Sequence, residues 1–350
     1  MDTILVLLHT EADGRLAKSA LEALAAAVDT SAALGGAVLT VGIVGRDAKA
    51  AAGTVASCGA KRFLAASGPG LETPRYGSDA AAAEQIAKAA GATIVLAPAT
   101  SRWCRVLSGV AHRLGGRSDS HVTALKADSG SLSVTRWYYR QRFEAVLSRS
   151  ERPWVIMLDP GCHAPWTGAG GSLGSPTPAA TPEDVMVAVS AEAKRTTVTG
   201  VQAPSAGEQT IRPDAKLLLV AGAGWSKKQP DGQTHVPEAE ALILGFLKKT
   251  QASLGGSKSI VDMSGEGTTA FKFMTHLNQV GQTGATPRHP KGLSTCCHGE
   301  EPHVVGWRFV NERRAVNLDP SCGWAQGKAD VLYVADAFAV MAKVNELLKG

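Results

Sequence analysis

Aromatic side chains are scarce in this chain: Phe, Trp and Tyr make up 5% of its 350 residues. That leaves a core to be built from small side chains, and the abundant alanine and glycine suit helices packed closely on a parallel sheet. Charge of one sign is lacking too, since 36 Lys and Arg face 31 Asp and Glu, a net +5. Spread along this length, the excess is too mild for a nucleic-acid footprint. The densest basic cluster, "RWYYRQRF" (136–143), reads as a solvated strand or loop face, with nucleic-acid binding as the second choice. The six cysteines, Cys58, Cys104, Cys162, Cys296, Cys297 and Cys322, form no CxxC pair. A secreted disulfide framework is therefore excluded, and reduced thiols are the default. No apolar run approaches the roughly 18 residues that span a bilayer. The short run Ile4–Leu8 follows Asp2 and has no basic stretch before it, unlike a signal peptide. A soluble, cytoplasmic protein that is not membrane-embedded is expected. Walker A is missing, "GAGWSK" lacks the third glycine of GxGxxG, and no GxSxG elbow surrounds Ser294.

What is present is a rhythm. With 44% hydrophobic residues the chain can bury a sizeable core, and its length favours two domains. Through residue 160, short apolar runs alternate with alanine-rich amphipathic stretches. Strands are expected at 4–8, 37–45, 61–66 and 93–100, and helices at 17–28, 48–58, 79–91 and 106–116. Gly91 and the Gly115-Gly116 pair stand where helix stops belong. The pattern then changes to antiparallel-looking strands over "SLSVTRWYYR" and "FEAVLSR", closed by "WVIMLDPG" (154–161). Residues 161–210 are a Gly/Pro/Ser-rich linker and crossover, to which 184–202 can add a strand. A second βα pattern fills 211–350. It has a strand at 216–225, a helix over 238–256, strand-like "SIVDM" (259–263), strands at 314–319 and 330–336, and a last helix at 337–350. Two α/β domains are expected, each a mainly parallel sheet flanked by helices. The second is expected to be flavodoxin-like or Rossmann-like, and the first, 1–160, to serve as a subunit interface.

In such sheets ligands bind beyond the carboxyl ends of the strands. There the second domain gathers glycines, amides and hydroxyls with few charges: Gly222 and Gly224, Ser257 and Lys258, Gln279 to Gly284, Ser294, Asn317 and Asp319, with Asp330 opening the next strand. Glycine lets a backbone approach a phosphate and converge its N–H groups on it. A single glycine pair is more often only a turn, so the case rests on the joint pattern.

That joint pattern resembles a known family, the alpha subunit of electron transfer flavoproteins, over nearly the whole chain. "QVGQTG" (279–284) is identical to the family's flavin loop. "GGSKSIVD" (255–262) is similar to its Gly-Ala-Ser-Arg-x-x-Val-Asp segment, and "VNLDP" (316–320) to its Ile-Asn-x-Asp-Pro. "GLS" (292–294) and "HVVGW" (303–307) bracket the counterpart of its Ile-Ser-Gly-Ala-Ile-Gln-His-Leu-x-Gly-Met stretch. Ala329-Asp330 matches the Ala-Asp that follows. In the first domain, "LAPATSRWCRVLSGVAHRLGG" (96–116) and "SDSHVTAL" (118–125) are similar to family segments as well.

The resemblance implies an electron carrier with one FAD. The second domain would hold most of it and a beta subunit would complete the site. Electrons would arrive from a substrate dehydrogenase and leave to a quinone oxidoreductase or another acceptor. It further implies cofactor contacts from Ser257, Gln279, Gln282, Thr283, Ser294, His303, Asn317 and Asp330. Thr283 would lie near flavin N5, His303 near the carbonyl O2, and Asn317 and Asp330 at the adenosine half. Gly222, Gly224, Lys258, Val280, Gly281, Gly284 and Asp319 complete the candidate set.

The sequence also departs from the family. Lys258 replaces an arginine, exchanging a planar fork for a flexible point charge, so altered stabilisation of the one-electron-reduced flavin is expected. Gly222-Ala223-Gly224 lacks the arginine of the family's Gly-Gly-Arg-Gly. An insertion of about four residues leaves His298 as an alternative to His303. "GEGTTAFKFMTHL" (265–277) lengthens the approach to the glutamine loop.

Other motifs have plainer readings. Cys296-Cys297-His298, with His303 and Cys322, lacks the usual ligand spacing of a tetrahedral metal site, and small residues lining a cofactor cavity explain it better. Cys162-His163 receives no role. Asp262 reads as a strand-end cap and His112 as structural. Trp225, just after a glycine loop, is a packing residue with the option of touching cofactor or partner. Two further functions stay open: an NAD- or adenylate-dependent enzyme on the same fold, and a scaffold without a cofactor.

Overall fold

The computed structural model describes residues 2–128, 130–139, 143–168, 181–190, 195–200, 211–212, 215–261, 271–280, 288–295, 310–319 and 329–348. The chain forms two compact units, one over Met1–Tyr139 and Phe143–Val201, the other over Gln202–Gly350.

The first unit is a sheet in the order β7-β6-β5-β8-β4-β1-β2-β3-β9 among the described residues. Its strands are β1 (Thr3–His9), β2 (Val38–Val44), β3 (Arg62–Ala66), β4 (Ile94–Pro98), β5 (Arg117–Asp128), β6 (Ser131–Tyr138), β7 (Phe143–Leu147), β8 (Trp154–Leu158) and the two-residue β9 (Glu183–Asp184). The central strands are parallel and buried on both faces, which is why they read as uninterrupted apolar runs. Side chains alternate across the sheet. Ile4, Val6 and Leu8 enter one core with α1 (Lys18–Ala33) and α2 (Ala48–Thr54). Leu5 and Leu7 enter the other with α3 (Tyr76–Ala90), α4 (Ser101–Cys104) and α5 (Leu107–Arg113). Gly91 caps α3 in the left-handed conformation, as its position in the sequence suggested.

Beyond the parallel core, β5, β6 and β7 form an antiparallel ribbon. The expectations named β6 and β7 but not β5, whose polar residues carry no clean alternation. β5 first pairs parallel with β8, and its register then shifts between Asp119 and Val122, where His121 takes φ 57°. Asp119, 1% exposed, anchors this ribbon root. It accepts hydrogen bonds from Arg136 Nη1 (2.8 Å), Arg149 Nε (2.5 Å) and Trp154 Nε1 (2.9 Å). Burial pushes its carboxyl up, yet the donors Arg149, Trp154 and Arg136 together hold it below the usual carboxylate range.

The second unit is a wholly parallel sheet in the order β11-β10-β12-β13-β14 among the described residues. The strands are β10 (Leu217–Ala221), β11 (Ser253–Gly256), β12 (His289–Thr295), β13 (Val310–Asn317) and β14 (Val331–Val334). Numbered from its own first strand, this is the 2-1-3-4-5 order of a flavodoxin-like doubly wound sheet. Helices α6 (Val236–Thr250) and α8 (Ala337–Leu347) cover one face through Ile243, Phe246 and Met341.

"SIVDM" reads as a strand in the sequence, but Lys258–Val261 is the short helix α7, and the strand lies earlier, at Ser253–Gly256. α6 stops at Thr250 because Gln251 turns left-handed (φ 54°), which frees the next residues to extend. The strand expected within 184–202 amounts to β9 alone among the described residues.

Candidate cofactor-binding rim

The carboxyl ends of β10 to β14 gather much of the polar set anticipated above. Gly256 closes β11, and Ser257 follows it, 4% exposed. Its N–H donates to Ala221 O (3.0 Å) and its Oγ accepts from Ile260 N–H (3.3 Å), which caps α7. Lys258 stands exposed on the next position. Gln279 and Val280 come to the same spot by a different route. Gln279 forms a parallel bridge to Gly256, and Val280 N–H donates to Gly256 O (3.1 Å). Asn278 holds the approach by donating Nδ2–H to Leu254 O (3.1 Å). Gly255 makes this docking possible: a Cβ there would lie 2.2 Å from Val280 Cγ2. The sequence Gly-Gly at 255–256 is thus the seat for the head of the glutamine loop.

Ser294 and Thr295 end β12 fully buried, and Asn317 ends β13, also fully buried. Asn317 donates Nδ2–H to Asp319 O (3.1 Å), while its Oδ1 has no hydrogen-bond partner among the described residues. A buried carbonyl oxygen left unmatched is costly, and a donor brought to this end of the rim would relieve that cost. A hydroxyl or amine of a nucleoside fits that requirement.

Two groups of candidates are placed differently. Asp330 is not on this rim: it precedes β14, at the strand's amino end, and its carboxylate accepts from Arg313 N–H (2.6 Å) and Arg313 Nη2 (3.0 Å). The ion pair with Arg313, backbone N–H included, holds Asp330 below the usual carboxylate range. The carboxylate at the carboxyl end of β14 is Asp336, which the sequence argument missed. It caps α8, its Oδ1 accepting from Phe338 N–H (2.6 Å) and Ala339 N–H (3.2 Å), and the neighbouring Ala335 N–H donates to Asn317 O (3.1 Å). An Asp before a helical apolar run was the signal that could have found it. Gly222 is on the rim, but its N–H donates to Thr295 O (2.9 Å). Gly222 and Gly224 are both buried. Gly281, Gln282, Thr283, Gly284, His303, His298, Asp262, Cys296, Cys297 and Cys322 lie outside the described residues.

The corresponding place in the first unit, between β1 and β4, is filled by side chains. Trp103 is fully buried there, and Arg102 Nη2 bonds Asp79 Oδ1 at 2.6 Å. Burial depresses the pKa of His9 beside them, and its Nε2 meets Thr100 Oγ1 at 2.9 Å. A separate cavity of about 300 Å³ is lined by Asp29, Lys126, Cys162 and His163 among others. Burial pushes the Cys162 thiol up to about 12, which removes it as a nucleophile. Among the described residues no group of His, Cys, Asp and Glu is arranged to hold a metal, and no helix is long and apolar enough to cross a membrane.

Sheet order and rim chemistry together define a doubly wound α/β protein with polar groups gathered at the carboxyl edge of its second sheet, where such folds bind ligands. Residues 4–204 match the family model of the electron transfer flavoprotein domain. The chain belongs to the electron transfer flavoprotein family, and its general role is flavin-dependent electron transfer. No curated protein matches it.

Proposed function

We propose that the chain is an alpha-type subunit that carries one FAD on the rim of its second unit. With a beta subunit it accepts electrons from a substrate dehydrogenase and hands them to a quinone oxidoreductase or another acceptor. The observation that carries this is the fully buried Asn317 Oδ1, unmatched among the described residues, on the rim of a flavodoxin-like sheet, in a chain whose other unit is an electron transfer flavoprotein domain. FAD supplies the redox chemistry when bound, so the protein has only to bind, orient and shield it. Asn317 and Asp319 would take the adenosine half, with Asp336 replacing Asp330 beside them. Ser257 and the loop from Gln279 through Gly281, Gln282, Thr283 and Gly284 would hold the middle of the dinucleotide, and Val280 anchors that loop. Lys258 would bring a positive charge to the ring, with Ser294 and His303 nearby. A cytoplasmic, heterodimeric carrier follows from this reading.

The test is to co-express the chain with the product of the neighbouring reading frame, then measure visible absorbance and extract the cofactor. One FAD per chain pair supports the proposal. A colourless complex that takes up NAD or an adenylate instead would favour the enzyme alternative.

A further inference from the structure

The 2-1-3-4-5 order reserves one crevice for a ligand, between the first and third strands of the sheet, here β10 and β12. In the common dinucleotide arrangement the turn after the first strand leads straight into a helix, and the pyrophosphate sits on that helix N-terminus. This chain has the crevice and closes it. The residue after β10, Gly222, donates its N–H across the crevice to Thr295 O (2.9 Å). Trp225 crosses beside it and donates Nε1–H to Thr295 Oγ1 (2.9 Å). Its ring is 0% exposed and packs on Phe338 of α8 at 4.5 Å between centroids. Within the turn, Trp225 N–H donates to Gly222 O (3.3 Å) and Lys227 N–H to Gly224 O (3.3 Å). The N–H groups of Gly222, Trp225 and Lys227 are thus committed within the protein, and the buried indole fills the space beside them.

The helix is displaced as well. α6 begins only at Val236, after an excursion clasped by a bridge between Lys228 and Thr234. Its N-cap is His235, flanked by Asp231 (2.7 Å) and Glu238 (3.3 Å). Two carboxylates at a helix N-terminus occupy the field an anion would otherwise enjoy.

We infer that Trp225 is a specificity-determining residue: it seals the β10 turn against nucleotide phosphates, so a dinucleotide on this rim is held at the ends of β11 and β13, by Ser257 and Asn317, instead. The inference rests on the flavin reading for the second half of that statement and not for the first. It removes Gly222 and Gly224 from the cofactor contacts and explains why the missing arginine of that turn can be tolerated. It also excludes the common NAD-binding mode on this sheet.

Hydrogen–deuterium exchange on the full-length chain tests it. The flavin-free protein is compared with the same protein after addition of FAD and, separately, of ADP. Exchange across 220–227 is expected to be slow and to stay within about twofold with either probe, whereas FAD slows exchange across 253–261 at least tenfold. Slowing of 220–227 by tenfold with FAD or ADP overturns the inference. If FAD does not bind at all while ADP leaves 220–227 unchanged, the flavin reading falls and the sealed turn stands. Trp225→Ala is expected to speed exchange across 220–227 at least tenfold. Should that variant fail to fold, Thr295→Val removes the indole's acceptor at nearly constant volume and is expected to speed it severalfold. Exchange unchanged in Thr295→Val shows that Trp225 is not the seal.

Discussion

Gly255→Ala probes the link between the sheet and the glutamine loop. The added Cβ would stand 2.2 Å from Val280 Cγ2 and 3.2 Å from Leu218 Cδ1. Val280 is 3% exposed, and its N–H is bonded to Gly256 O at 3.1 Å. A valine methyl sits one bond from Cβ, so it cannot swing clear without moving the backbone that carries it. Forcing a methyl into such a site costs about 1–3 kcal/mol. In a unit of this size each kcal/mol lowers Tm by about 2–4 °C. Displacing Gln279 and Val280 also shifts the entrance to the 281–284 loop, and each ~1.4 kcal/mol lost there weakens FAD binding about tenfold. The assay is a flavin fluorescence titration of the reconstituted protein with a thermal melt on each sample. Val280→Ala removes the offending atoms, so the double variant should bind FAD more tightly than Gly255→Ala alone, with a coupling of at least ~1 kcal/mol. Strictly additive effects, or an unchanged affinity in Gly255→Ala, would refute the claim that this glycine seats the loop.

Asn317→Ala is expected to weaken FAD binding about tenfold, the scale of one buried hydrogen bond. Asp330→Asn should leave affinity within twofold and cost stability only on the surface-pair scale of about 0–1 kcal/mol, read by titration and denaturant melts. Lys258→Gln should lower the flavin midpoint potential, because a cation favours the anionic reduced ring. A difference on the order of 1 kcal/mol corresponds to about 20 mV for a two-electron couple, and Lys258→Arg should restore it in a redox titration. Asp119 titrates below its unfolded range, so it contributes stability above the ordinary carboxylate pKa and loses it as pH falls through its own lower value. The first unit should therefore lose stability in acid, and Asp119→Asn should flatten that acid limb in melts taken from pH 6 downward.

The parallel core was legible because strands such as Ile4–Leu8 and Leu217–Ala221 are buried on both faces and leave no room for polar residues. β11 was not, since Ser253-Leu254-Gly255-Gly256 has neither β-branched residues nor alternation, and its two glycines serve close packing rather than strand propensity. β12 opens with His289-Pro290-Lys291, and only its neighbours make it a strand: buried His289 bonds Arg212 O and Ser253 Oγ, both at 3.0 Å. In the site, residue types were readable and direction was less so. Asp330 and Asp336 stand at opposite ends of β14, and a motif match does not say which end faces the ligand. Trp225 gave no sequence signal beyond following a glycine, because its effect depends on Thr295, far away in the chain.

The most direct test of the central claim is a structure of the chain, co-purified with its partner, after loading with FAD. The account predicts dinucleotide density along Ser257, Lys258 and the 279–284 loop, with a donor of the adenosine half within hydrogen-bond distance of Asn317 Oδ1. Flavin density in another groove, with Asn317 Oδ1 still unmatched, would contradict it.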